Sequence, residues 1–201
     1  MHSLSRGSDT AIVVLHEIYG FTRHIRDTCE WYHAAGYDVY CPDLLGRVFS
    51  HDRQAEAYQY FMTNVGFDAA SDIASLLSGL SPRYARIIVA GYSVGATLAW
   101  IVSGIGPCNG VVCHYGSRIR KYLEVKPLCP VLLIAADQDD AFPVAIYRDT
   151  FDPATVAIRI LPGKHGFCDP YGWSHDGGSA EKARQLALDF INSLDTGPPT
   201  R

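Results

Sequence analysis

The chain has no C-x-x-C pair, although six of its 201 residues are cysteine. That spacing argues against a zinc ribbon or a dithiol redox centre. Nor is there a run or stripe of lysine and arginine. Seventeen basic residues stand against 21 acidic ones, for a formal charge of −4. A nucleic-acid partner is therefore not expected, because phosphate binding needs clustered positive charge. No apolar run approaches the ~20 residues that span a bilayer, so no membrane association is expected. The segment Met1 to Thr10 is polar and has no secretory-signal apolar core, which points to the cytoplasm. Repeats, low-complexity tracts and linkers are missing too. The expectation is one domain over residues 1–201, with an ordered core at about residues 11–194. A chain of this length buries enough apolar surface to need no disulfides. Cys29, Cys41, Cys108, Cys113, Cys129 and Cys168 therefore read as free, largely buried thiols of a reducing compartment. No residue set calls for a metal or an organic cofactor.

What the chain does have is alternation. β-branched and apolar runs at residues 11–16, 37–41, 86–90, 110–115, 131–136 and 156–161 read as buried strands. Between them lie helical stripes. Phe21, Ile25, Cys29, Tyr32 and Ala35 form one, closed by Gly36. Residues 54–80 read as two helices broken near Gly66, and residues 118–123 and 144–151 as shorter ones. Ala183, Leu186, Ala187, Phe190, Ile191 and Leu194 mark the last helix, with Ser179 as its expected N-cap. Strands apolar throughout and separated by helices imply an α/β fold. Its mostly parallel sheet, about six strands wide, has helices on both faces. In such sheets polar groups at the carboxyl ends of strands form the site.

Gly91-Tyr92-Ser93-Val94-Gly95 lies at one of those ends. The strand at residues 86–90 leads in and a small, apolar helical stretch leads out. A serine on a sharp strand-to-helix turn presents its hydroxyl above the sheet, and the glycines make room for the turn. The helix N-terminus behind it offers free N–H groups to an oxyanion. Val94 N–H is one expected donor. Ile18 N–H, in the loop His16-Glu17-Ile18-Tyr19-Gly20 after the first strand, is the other.

A serine needs a base, and the base needs a carboxylate to orient it. The chain order for this elbow is serine, acid, histidine. Asp137, Asp139 and Asp140 follow the strand at 131–136 and compete as acids. His165 follows the strand at 156–161 and is the base that fits. His114 precedes the acids, so it is expected only to line the cleft. His2, His24, His33, His51 and His175 read as surface residues. Tyr19, Phe21, Tyr92, Phe142, Phe167, Tyr171 and Trp173 fall in or beside the site loops. They suggest an aromatic-walled pocket for a small acyl group or an aromatic ester, with Tyr19, Tyr92, Phe142 and Phe167 as substrate contacts.

Val13-Val14-Leu15-His16-Glu17-Ile18-Tyr19-Gly20, Gly36 to Leu44, the elbow, Gln138-Asp139 with Pro143, and His165-Gly166-Phe167 together resemble the dienelactone hydrolase family of α/β-hydrolases. The likeness runs from about Ala11 to Leu194. It implies a single-domain α/β-hydrolase fold with its first strands trimmed. It also implies Ser93, Asp139 and His165 as a triad and Glu17 as an active-site glutamate. Related hydrolases often carry a proline four residues after the acid, which favours Asp139 over its neighbours and leaves Asp137 to shape the turn. The implied reaction is cleavage of a small carboxylic ester or lactone through an acyl-enzyme. A thioesterase and a non-catalytic small-molecule binding protein are the alternatives, and a peptidase ranks lower. Two departures stand out. The family's namesake has cysteine where this chain has Ser93, and arginine four residues after the histidine, where this chain has Asp169. Glu17, lacking that arginine, is expected to be buried with a raised pKa and hydrogen-bonded to Ser93. The trimmed start leaves the strand at 37–41 near an exposed edge that a second subunit could cover.

Overall fold

The computed structural model describes residues 1–139 and 150–194. The described elements, in chain order, begin with β1 (His2–Leu4), β2 (Thr10–Leu15), α1 (Arg23–Ala34) and β3 (Asp38–Cys41). They continue with α2 (Gln54–Asn64), α3 (Ala70–Leu80), β4 (Arg86–Tyr92), α4 (Val94–Ser103) and β5 (Gly110–His114). The chain closes with β6 (Val131–Ala136), β7 (Val156–Leu161) and α5 (Gly177–Ser193). Two 3₁₀ turns, His51–Arg53 and Ser117–Lys121, lie between them.

The strands form one sheet in the order β1-β3-β2-β4-β5-β6-β7. All neighbours are parallel except β1, which pairs antiparallel with β3. Pleating splits β2 between two cores. Ala11, Val13 and Leu15 face the layer holding Phe61, Leu77 and Trp100, from α2, α3 and α4. Ile12 and Val14 face the layer holding Ile25, Tyr32, Ala183 and Ile191, from α1 and α5. The strands β2, β5 and β6 are buried along their whole length because both of their faces are covered. Among the described residues no helix is long and apolar enough to cross a membrane.

Three expectations need revision. The sheet has a seventh strand, β1, in register His2 with Cys41 and Leu4 with Val39. Three residues carry no readable hydrophobic period, so the sequence hides it. Beyond the strand, Asp38 holds the segment by accepting from Ser5 Oγ and Arg6 N, both at 2.8 Å. The β3 edge is therefore not bare, and it gives no reason for a second subunit there. The cap of α5 is Asp176, whose side chain accepts from Ser179 N at 2.8 Å. The helix thus starts two residues before the expected Ser179. Finally, the helix expected over residues 118–123 is a 3₁₀ turn. Most of the one expected over residues 144–151 lies outside the described residues, as do Asp140, Phe142 and Pro143.

Candidate active site

Ser93 sits between β4 and α4 with φ 55° and ψ −113°, a left-handed conformation that a side chain adopts only under constraint. The two flanking glycines make room for it. A Cβ on Gly91 would collide with the Gly95 carbonyl, and a Cβ on Gly95 would collide with the Leu15 carbonyl. Only glycine at both positions lets the turn close and α4 press against β2. Val94 is the first residue of α4 and has no helical carbonyl four residues back to receive its N–H. Val94 and Ile18 both line the cavity that holds Ser93.

His165 lies in the loop after β7, and its Nε2 is 2.8 Å from Ser93 Oγ. On its other side, Nδ1 is 2.7 Å from Asp139 Oδ2. Asp139 itself is buried in the loop after β6, whereas the imidazole is partly exposed. Asp137 does something different. Its Oδ1 accepts from Gly163 N at 2.9 Å, which ties the loop after β6 to the loop after β7. Three strands thus deliver serine, carboxylate and imidazole to one rim, in hydrogen-bonding distance and in the order acid, imidazole, serine.

Glu17 is buried beside this row at 4% exposure. Burial pushes its carboxyl pKa up, and Asp169 adds to the rise while His24 and His165 oppose it. The expected hydrogen bond to Ser93 is not formed. Glu17 Oε1 instead accepts from the Tyr115 hydroxyl at 3.0 Å. Tyr115 is fully buried with φ 42°, and its ring lies 5.1 Å from the His165 ring and 5.3 Å from the Phe167 ring. It follows β5 without a motif of its own, so nothing in the sequence marked it.

His16 was equally inconspicuous. Leu44 N–H donates to its Nε2 at 3.0 Å, so the proton resides on Nδ1, which donates to the Glu17 carbonyl at 2.7 Å. A neutral imidazole thereby clamps the Glu17–Ile18 loop to the segment after β3. Burial lowers its pKa, consistent with that role.

Asp169 occupies the position where the namesake has arginine, and it is nearly fully buried. Its Oδ2 is 2.7 Å from His51 Nε2, and its Oδ1 accepts from Tyr171 N at 2.8 Å. His51, expected to be a surface residue, lines the cavity and packs its ring 4.6 Å from Tyr19. His24 is buried too, edge-on to Tyr92 at 5.4 Å. His114 does not line the cleft. It stacks on Tyr92 at 4.3 Å, and burial pushes its pKa down to about 3.

The cavity holds about 580 Å³, within the range of small-molecule sites. Ser93, His165, Asp139, Glu17 and Tyr19 line it, joined by Tyr58, Arg118, Arg120, Lys164 and Trp173. Tyr92 and Phe167, expected to contact substrate, do not line it. Tyr92 is on β4, and both rings pack into the core layer beneath the elbow. Phe142, the remaining expected contact, lies outside the described residues. The two arginines were missed because they sit in the 3₁₀ turn after β5, where no periodic signal fixes their direction.

A mostly parallel sheet with an elbow serine at its carboxyl rim defines an α/β-hydrolase. The sequence pattern of the dienelactone hydrolase family matches residues 2–194, and the chain belongs to that family of hydrolases. It is 37% identical over 165 residues to the uncharacterized protein YczH of Bacillus subtilis (strain 168), covering 79% of this chain and 81% of that one. It is 27% identical over 212 residues to carboxymethylenebutenolidase of Pseudomonas putida, covering 94% of this chain and 87% of that one. Among solved structures, a dienelactone hydrolase-like promiscuous phosphotriesterase from metagenomic libraries superposes with a TM-score of 0.75 at 16% identity. That match covers 94% of this chain and 88% of the other.

Proposed function

We propose that the protein is a serine hydrolase that cleaves small carboxylic esters or lactones through an acyl-enzyme on Ser93. The observation that carries this reading is the unbroken row Asp139–His165–Ser93, with contacts of 2.7 and 2.8 Å, opening on a cavity of small-molecule size. In this reading His165 Nε2 takes the Ser93 proton as Oγ attacks the substrate carbonyl. Asp139 holds Nδ1–H and stabilises the imidazolium that forms. The carbonyl oxygen becomes an oxyanion and is received by the N–H groups of Val94 and Ile18. Each such donor contributes about 3 kcal/mol in the transition state. His165 then protonates the departing alkoxide, leaving an ester on Ser93. A water that gives its proton to His165 attacks that ester, the acid departs, and Ser93 recovers its proton. Membership in a family whose relatives include carboxymethylenebutenolidases supports a lactone or ester over other acyl groups. The free state of all six cysteines supports a cytoplasmic setting, where thiols stay reduced.

A fluorophosphonate probe tests this reading, because it phosphonylates only an activated serine. Labelling should map to the peptide holding Ser93 and disappear in Ser93→Ala and His165→Ala. A folded protein that takes no label, or takes it elsewhere, contradicts the proposal.

A further inference from the structure

Trp173 differs from the other two tryptophans. Trp100 is fully buried, with its indole N–H donating to the Tyr122 carbonyl at 2.8 Å. Trp31 packs against Tyr32 at 4.7 Å and lies under Arg184. Trp173 is 82% exposed, yet it lines the cavity that holds Ser93. Among the described residues no ring stacks on its indole. Leaving so large an apolar surface in water forgoes the gain of burying it.

The backbone leading into it is held in place. Asp169 takes His51 Nε2 on one oxygen and Tyr171 N on the other. Gly172 N donates to the Asp169 carbonyl at 3.1 Å. Next door, the Tyr171 hydroxyl donates to Asp27, and the Arg23 guanidinium lies 4.7 Å above the Tyr171 ring. The indole therefore follows a pinned stretch of backbone, tied through Asp169 to His51, another residue of the cavity lining. An aromatic face carried on a held backbone at a cavity mouth binds a flat partner at lower entropic cost than one on a free loop.

We infer that Trp173 determines specificity by stacking on a planar, conjugated group of the substrate. This rests on the ester-hydrolase reading above but adds a substrate class to it. The face gives no preference for the acyl or the alcohol side, so both arms belong in the test. Tyr19 and Tyr58, lining the same cavity, extend the aromatic wall.

The test compares kcat/KM for phenyl acetate and methyl benzoate with that for ethyl butyrate, in the parent protein and in Trp173→Ala and Trp173→Phe. Stacking plus the lost burial predicts that the aromatic-to-aliphatic ratio for at least one aromatic ester falls about tenfold in Trp173→Ala. Trp173→Phe should restore most of it. Ratios that stay within twofold for both esters overturn the inference. A binding arm is independent of turnover. Benzoate and phenol are titrated against Ser93→Ala, and indole fluorescence is read. At least one ligand should quench it saturably, and Trp173→Phe in that background should lose the signal. If neither quenches, or the quench survives in Trp173→Phe, the stacking role fails even where Ser93 takes the fluorophosphonate. Missing label with intact quenching would instead sink the hydrolase reading and keep the aromatic site.

Discussion

The Tyr115 hydroxyl donates to Glu17 Oε1 at 3.0 Å, joining a residue that the family resemblance singled out to one that nothing in the sequence marked. The bond satisfies a buried carboxyl beside the Ser93–His165 pair. Burial favours the protonated form of Glu17, so its pKa is raised in the folded state. Between the ordinary glutamate value and that raised value, the unfolded chain releases a proton that the folded chain keeps. Stability contributed by this group therefore falls as pH rises through that window. Glu17→Gln keeps the acceptor for Tyr115 and removes the titration. It should flatten that part of the stability–pH curve and raise stability above the window, measured by urea denaturation at a series of pH values.

His114 makes the opposite prediction on the acid side. Its pKa is pushed down to about 3 by burial, and that of His16 is lowered by the same cause. As pH falls below the ordinary histidine value, the unfolded chain takes up protons that the folded chain refuses. Stability is then lost progressively toward pH 3. His114→Gln should reduce this acid loss. An unchanged dependence between pH 7 and pH 4 would show that His114 is already protonated or accessible in the folded protein.

Asp139 and Asp137 lie two residues apart and should behave differently. Asp139→Asn removes the carboxylate that orients His165 and should lower kcat about 10,000-fold. Asp137→Asn leaves an oxygen for Gly163 N and should cost less than about tenfold. Steady-state rates on p-nitrophenyl acetate decide the matter, and the reverse ranking would reassign the acid.

Asp169 should act on binding more than on chemistry, because it holds the Trp173 segment and His51 rather than the reacting atoms. Asp169→Ala strips the acceptor from both His51 and Tyr171 N and should cost about 1–3 kcal/mol of stability. Its KM should rise more than its kcat falls. Equal losses in kcat and kcat/KM would place Asp169 in the transition state instead.

Much of this arrangement was legible in the sequence because it rests on periodicity and spacing. The all-apolar strands gave the parallel sheet, and the elbow glycines marked the one serine turn. The order of Ser93, Asp139 and His165 matched the ends of three strands. What stayed hidden depended on packing across the chain. His51 and Asp169 are 118 residues apart, and neither sits in a motif. Tyr92 and Phe167 are next to site residues in sequence but alternate into the core, because a side chain's face is set by the pleat and the turn. The β1 strand is too short to show a pattern and is defined by its pairing to β3.

The most direct measurement is the pre-steady-state time course with p-nitrophenyl acetate, joined to mass spectrometry of the quenched protein. A nitrophenol burst of about one per chain, with an acetyl group on Ser93, is the outcome predicted for a two-step reaction. Linear release without a burst, an unmodified Ser93 under saturating substrate, and hydrolysis that persists in Ser93→Ala would together contradict it.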